Sequence, residues 1–279
     1  MAGTCVPSWI RSGTRDDWKD EADRFAAVGV ATLSYDKPGV GGSEGDWTSQ
    51  SFDDRAREAL CAVRSLQDTA GIESTCVGLL GGSQGGWIAP MAAARSAQVA
   101  FVVTLSAAGV SPRDQDLFRL DRQLRRIGLG EAEIDEALVA WHIADDDLRQ
   151  GRAPVAIVER QRAFRERRWY SYMVFDDVAV VGFIEQIWRF DPVPYLERCR
   201  CPLLAMWGEE DDLVPVRSSR EIFERALRKA RNNRVSLRVF AGADHDLRSL
   251  GDGKEIAGLV ELIANWIEEA VGEGVHATA

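Results

Sequence analysis

The amino-acid sequence predicts an α/β fold: a mostly parallel sheet with helices on both faces and a helical segment inserted late in the sheet. Three observations carry this. Short apolar runs at 30–35, 76–80 and 100–105 alternate with segments of helical period, as parallel strands buried on both faces do. Between residues 111 and 195 the alternation stops, and apolar residues recur only at helical spacing. It resumes at 202–208 and runs to the C-terminus. The expected organisation is a first core part at 1–110, a helical cap or lid at 111–195 and a second core part at 196–279.

Taken in order, residues 1–10 are short and interrupted by Pro7, and give no clear strand. Residues 14–28 read as a helix with Trp18, Ala22, Phe25 and Ala26 on one face and Gly29 as its stop. A strand at 30–35 leads into the loop Asp36-Lys37-Pro38-Gly39-Val40-Gly41-Gly42. Ser51 and Asp54 have the spacing of a capping box, opening a helix whose stripe is Ala56, Leu60, Val63 and Leu66. The strand at 76–80 runs into a glycine-rich turn and an Ala-rich helix at 87–95, and a further buried strand follows at 100–105. Within 111–195, Leu117, Leu120, Leu124 and Ile127, then Ile134, Leu138, Trp141 and Leu148, mark helices broken at Gly128 and Gly151. As a lid, this segment would offer Trp141, Trp169, Tyr170, Tyr172, Trp188 or Phe190 to a substrate pocket; as a plain appendage it would be a solvated helical layer. The arginines at 160, 162, 165, 167 and 168 are interleaved with Glu159 and Glu166 and read as a solvated face. A strand at 202–208, a helix at 219–230, an alternating strand through Val235, Leu237 and Val239, and an amphipathic helix through Ile256, Leu259, Val260, Ile263 and Ile267 complete the chain.

Bulk properties narrow the function classes. With 46% hydrophobic and 28% charged residues, the chain is of ordinary globular composition. Its net charge of −10 argues against nucleic acid or anionic membrane as a partner. The five cysteines have no metal-ligand spacing and no disulfide framework, which suggests a reducing compartment and a cytoplasmic location. No run reaches membrane-span length, and no signal-peptide core stands at the N-terminus.

The chemistry-bearing stretch is Gly81-Gly82-Ser83-Gln84-Gly85-Gly86, set between a strand and a helix. A nucleophilic hydroxyl needs a backbone bend too sharp for bulky neighbours, and the following N–H then sits at a helix N-terminus that favours developing negative charge. Gly41-Gly42-Ser43-Glu44-Gly45 also matches G-x-S-x-G, but no helix period follows it, so Ser43 reads as a loop serine. A serine nucleophile needs a base, and the base needs an orienting carboxylate. Of the three histidines, His142 lies beside an apolar stripe and His276 near the C-terminus. His245, in Gly242-Ala243-Asp244-His245-Asp246, follows the last strand. Acids after the 202–208 strand are Glu209, Glu210, Asp211 and Asp212; Asp211 is the choice and Asp212 its substitute.

These residues resemble the α/β-hydrolase superfamily, in particular bacterial serine esterases and hydrolases related to prolyl oligopeptidase. The matching stretches are Tyr35-Asp36-Lys37-Pro38-Gly39-Val40-Gly41-Gly42-Ser43, residues 81–86, Trp207-Gly208 through Asp211 to Val214-Pro215, and Gly242 through His245. The order Ser83, Asp211, His245 is the order of that fold. By resemblance Ser83 is the nucleophile, Asp211 orients, His245 is the base and the Gln84 N–H is one oxyanion donor. No cofactor or metal is implied, and the partner is a small-molecule acyl substrate. Relatives carry a strand before the first helix whose following loop gives the second oxyanion N–H; here only Thr4 to Gly13 stand in that place, with a donor near Ile10 to Ser12. Either residues 4–10 form a short substitute or the sheet is incomplete, and an uncovered internal edge would pair with another chain, giving a homo-oligomer. The expected activity is carboxylic ester hydrolysis. Thioester, amide or acyl-transfer chemistry uses the same groups, and a non-catalytic remnant binding a ligand or partner is the reading from another class.

Overall fold

The computed structural model describes residues 2–7 and 19–276. Its described strands form one parallel sheet: β1 (Ala2–Pro7), β2 (Val30–Tyr35), β3 (Val77–Gly82), β4 (Val102–Leu105), β5 (Leu203–Gly208) and β6 (Val235–Phe240), in the order β2-β1-β3-β4-β5-β6. The N-terminal segment is thus a strand. β1 runs alongside β2 from Ala2↔Val30 to Pro7↔Tyr35 and pairs with β3 through Gly3↔Val77, Thr4↔Gly78 and Cys5↔Leu79. That decides between the two expectations: the place between β2 and β3 is filled, and no internal edge lies open. Pro7, which argued against a strand, is the last residue of β1, beyond the Gly3–Cys5 stretch that pairs with β3.

The helices are α1 (Lys19–Ala27), α2 (Phe52–Gln67), α3 (Gly85–Ala93), α4 (Pro112–Arg126), α5 (Glu131–Arg149), α6 (Pro154–Gln161), α7 (Val178–Ile187), α8 (Val193–Leu196), α9 (Val216–Lys229) and α10 (Leu259–His276). Of the expected helix at 14–28, residues 14–18, with Trp18, lie outside the described residues. Strand side chains alternate between two cores, because successive residues of a strand point to opposite faces. Leu79, Val102, Leu203, Ala205 and Trp207 pack with α2, α3 and α9 through Ala56, Val63, Trp87, Ile88, Phe223 and Leu227. Leu80, Val103, Leu204 and Met206 pack on the other face with Phe25 of α1 and with Leu259, Val260, Ile263 and Ile267 of α10. Each buried Leu- or Phe-sized side chain contributes about 1.5–3 kcal/mol, so both faces hold the sheet. The capping box is present: Ser51 Oγ accepts from the Asp54 N–H while Asp54 Oδ2 accepts from the Ser51 N–H.

Helices α4 to α8 lie between β4 and β5 in sequence. Most of them share a core of their own, with Leu120, Leu124, Ile134, Ala140, Trp141, Ile157, Trp169, Phe175 and Trp188. At its centre the buried Asp145 carboxylate accepts from Arg113 Nη2 at 2.7 Å and from Trp188 Nε1 at 2.8 Å. Trp141 and Trp169 are fully buried there and donate to Asp116 and Glu136, so they are packing residues of this segment, against the expectation that they face a substrate. Among the described residues, no helix is long and apolar enough to cross a membrane.

Candidate active site

The C-terminal ends of β3, β4, β5 and β6 lie side by side along one edge of the sheet, and each carries a polar group into the same region. After β3 comes Ser83, held at φ +48°, a left-handed conformation rare for a residue with a side chain. It is the bend between Gly82, the last residue of β3, and Gly85, the first of α3. A side chain at Gly81 could not be accommodated, since its Cβ would lie 2.1 Å from the Gly85 carbonyl oxygen. The Ser83 N–H donates to the Leu105 carbonyl of β4 at 2.8 Å, fixing the turn to the neighbouring strand. Ser83 remains partly exposed, whereas Gln84 behind it is buried. Gln84 caps α3, and among the described residues its N–H has no acceptor, which leaves it available to an anionic oxygen at the helix N-terminus.

The loop after β5 carries the acid. Asp211 is buried, and its Oδ1 accepts the N–H groups of Leu213 at 2.8 Å and Val214 at 2.9 Å, a local turn that sets the carboxylate's direction. Its Oδ2 meets His245 Nδ1 at 2.8 Å. Asp212, the substitute considered from sequence, turns instead toward Arg126 of α4 and forms an ion pair with it, and Glu209 and Glu210 are exposed. Burial pushes the His245 pKa downward, but the hydrogen bond and charge of Asp211, with the charges of Asp246 and Asp212, outweigh it and hold the imidazole above its ordinary value. A proton on Nδ1 facing Asp211 leaves Nε2 as the basic nitrogen.

The structure therefore joins Asp211 to His245 directly. Ser83 stands on the same sheet edge, and its hydroxyl makes no hydrogen bond to the imidazole in this arrangement. The expected donor near Ile10 to Ser12 lies outside the described residues. His142 is exposed on α5, and Ser43 sits in the loop after β2 with its hydroxyl donating to the Asp36 carbonyl at 2.8 Å. A cleft of about 820 Å³ opens where the helical segment meets the core, lined among others by Val110, Arg113, Trp188, Phe190 and Ile222. Trp188 and Phe190 border this cleft, and none of Ser83, Asp211 and His245 lines it. One polar group was not foreseen: Ser106, at the end of β4, donates from its buried hydroxyl to the His245 carbonyl at 2.6 Å. Among the described residues no group of three or more His, Cys, Asp or Glu is placed to hold a metal ion.

Comparison with known proteins agrees with this layout. Among curated proteins, 85 residues are 28% identical to a stretch of the uncharacterized peptidase YuxL of Bacillus subtilis, covering 30% of this chain and 13% of that protein. The chain thus spans a small part of that relative's length. Among solved structures, an α/β hydrolase, GrgF, from a Penicillium species superposes with a TM-score of 0.60 at 18% identity, over 97% of this chain and 91% of that one. A Pyrococcus furiosus esterase gives 0.59 at 18% identity over 96% and 82%, and the Paleococcus ferrophilus monoacylglycerol lipase 0.56 at 18% identity over 96% and 94%. At these identities the likeness is one of fold. The alpha/beta hydrolase family model matches residues 6–259, nearly the whole chain, with strands β2 to β6 and the serine turn inside the match. The chain belongs to the alpha/beta hydrolase family.

Proposed function

We propose that this chain is a serine hydrolase that cleaves carboxylic esters through an acyl-enzyme, with Ser83 as nucleophile, His245 as general base, Asp211 as the orienting acid and the Gln84 N–H as one oxyanion donor. The observation that carries the reading is the buried Asp211–His245 pair at 2.8 Å, set on the sheet edge that also presents the strained Ser83 turn. A carboxylate held by two backbone N–H groups fixes the imidazole's tautomer and stabilises the imidazolium that forms when the base takes a proton. For that transfer, Ser83 Oγ and Nε2 come within about 2.6–3.2 Å, a contact that often tightens only with substrate bound. Ser83 Oγ then adds to the ester carbonyl, and the resulting oxyanion meets the N-terminus of α3. His245 passes its proton to the leaving alcohol. In the second half, His245 activates water, which releases the acid from Ser83.

Helices α4 to α8, the 111–195 segment, act in this reading as a cap over the core. The substrate is a small acyl compound and no cofactor takes part. The filled β1 position favours an enzyme over a non-catalytic remnant, because a complete sheet supports the strand ends on which the three groups stand. A peptidase is the second reading, favoured by the name of the Bacillus subtilis relative; thioesters and acyl transfer would use the same groups. The test is turnover of p-nitrophenyl esters beside thioester and peptide substrates, for the wild type and Ser83→Ala. Ester turnover that depends on Ser83 supports the proposal, and equal turnover by Ser83→Ala refutes it.

A further inference from the structure

A base on the β6 loop has a distance to cover: in the sheet, β5 and β4 separate β6 from the nucleophile's strand β3. The loop crosses these two strand ends by two close contacts. It first passes over β5 at Gly208, where a Cβ would lie 2.1 Å from the Asp244 carbonyl oxygen and 2.4 Å from that of Ala243. The Glu210 N–H donates there to the Ala243 carbonyl at 2.9 Å. At the end of β4 it meets Ser106, whose hydroxyl donates to the carbonyl of His245 itself at 2.6 Å. The residue before Ser106 is Leu105, whose carbonyl receives the Ser83 N–H at 2.8 Å. Nucleophile and base are therefore both tied, by one hydrogen bond each, to the same two-residue unit.

Ser106 bears a conformational cost in that position. It is fully buried and sits at φ +51°, where glycine would be the easier residue, and its own N–H is committed to the Met206 carbonyl of β5 at 2.7 Å. A strained, buried residue of this kind points to a role for its side chain, and among the described residues the hydroxyl's one hydrogen bond is to the His245 carbonyl. We propose that Ser106 is a positioning residue, whose hydroxyl clamps the base loop across the sheet and sets the height of the His245 imidazole over Ser83. This rests on the hydrolase reading given above. The clamp holds the backbone of His245, whereas Asp211 holds its ring, so the two fix different degrees of freedom of one side chain.

Ser106→Gly removes the hydroxyl without leaving a side chain in the left-handed conformation, so loss of the clamp is not compounded by added backbone strain. The protein is compared as wild type, Ser106→Gly and Ser83→Ala, with active sites counted by a fluorophosphonate so that rates refer to folded sites alone. The expected result is kcat on a p-nitrophenyl ester lowered about tenfold or more in Ser106→Gly, with KM within about twofold, the signature of an interaction made in the transition state. The phosphonylation rate falls by the same factor, and thermal stability stays close to wild type. A Ser106→Gly protein with wild-type kcat, beside a wild type that labels at Ser83, overturns the clamp and leaves the hydrolase reading standing. A folded wild type that does not label overturns both.

Discussion

Two turns of this chain have the same pattern, G-x-S-x-G, and opposite local structure. In Gly41-Gly42-Ser43-Glu44-Gly45 the serine hydroxyl is turned inward to the Asp36 carbonyl at 2.8 Å, while the Gly42 N–H donates to the Asp36 carboxylate at 3.1 Å. The turn closes on itself, with the Gly39 N–H donating to the Ser43 carbonyl at 3.1 Å, and leads into a short helical turn at 47–49 capped by Asp46. In Gly81-Gly82-Ser83-Gln84-Gly85 a buried strand ends and a helix begins within three residues. There the serine is the one in a left-handed conformation, and among the described residues its hydroxyl makes no hydrogen bond. The difference teaches that the pattern encodes only a tight bend. A strand before it and a helix after it aim the hydroxyl outward and put free N–H groups behind it.

Substitutions can break this contrast, starting with the largest effect. Ser83→Ala lowers kcat on a p-nitrophenyl ester by about 10⁴–10⁶ with the folded protein intact by circular dichroism; a loss below tenfold would place the nucleophile elsewhere. Asp211→Asn follows at about 10⁴, since the imidazole loses the partner that fixes its tautomer. The same variant carries a pH signature. In the wild type His245 is held above its ordinary pKa and must be neutral to act as base, so kcat/KM rises with pH through a midpoint above about 6.5. Without the Asp211 charge, burial is the dominant influence left and lowers the pKa, so the residual activity of Asp211→Asn rises at lower pH than wild type. A midpoint that stays put or moves up contradicts the pairing.

The smaller effects sharpen the comparison from the other side. Ser43→Ala removes a loop hydrogen bond, costing about 0.5–1.5 kcal/mol in urea unfolding and leaving kcat within about threefold. Arg126→Ala cuts an ion pair to Asp212 whose arginine is largely solvated, and changes turnover by about twofold or less. If it acted as strongly as Asp211→Asn, Asp212 would be the acid.

Much of this contrast could be read before any coordinates, and the reason is local. Strand, bend and helix around Ser83 are written within twenty residues by an apolar run, glycines and alanines, and the Ser51–Asp54 cap by a fixed spacing. What was illegible is tertiary. β1 is held in the sheet by pairing with strands about 28 and 74 residues further on, and its own six residues carry too little period to announce it. The sequence favours Asp211 over Asp212, but the reason it is the one, that its carboxylate takes the Leu213 and Val214 N–H groups, is a matter of turn geometry among adjacent acids. Trp141 was open to misreading as a pocket residue, although its place on the Ile134–Leu138 stripe marks it as core. Nothing in the composition around Ser106 points to a residue 139 positions away.

The most direct measurement is to react the folded protein with a fluorophosphonate, digest it and map the adduct by mass spectrometry. The expected result is one phosphonylated peptide, carrying Ser83, with the Ser43 peptide unmodified and no adduct in Ser83→Ala. A phosphonylated Ser43, an adduct that survives Ser83→Ala, or a folded protein that takes up no label would contradict it.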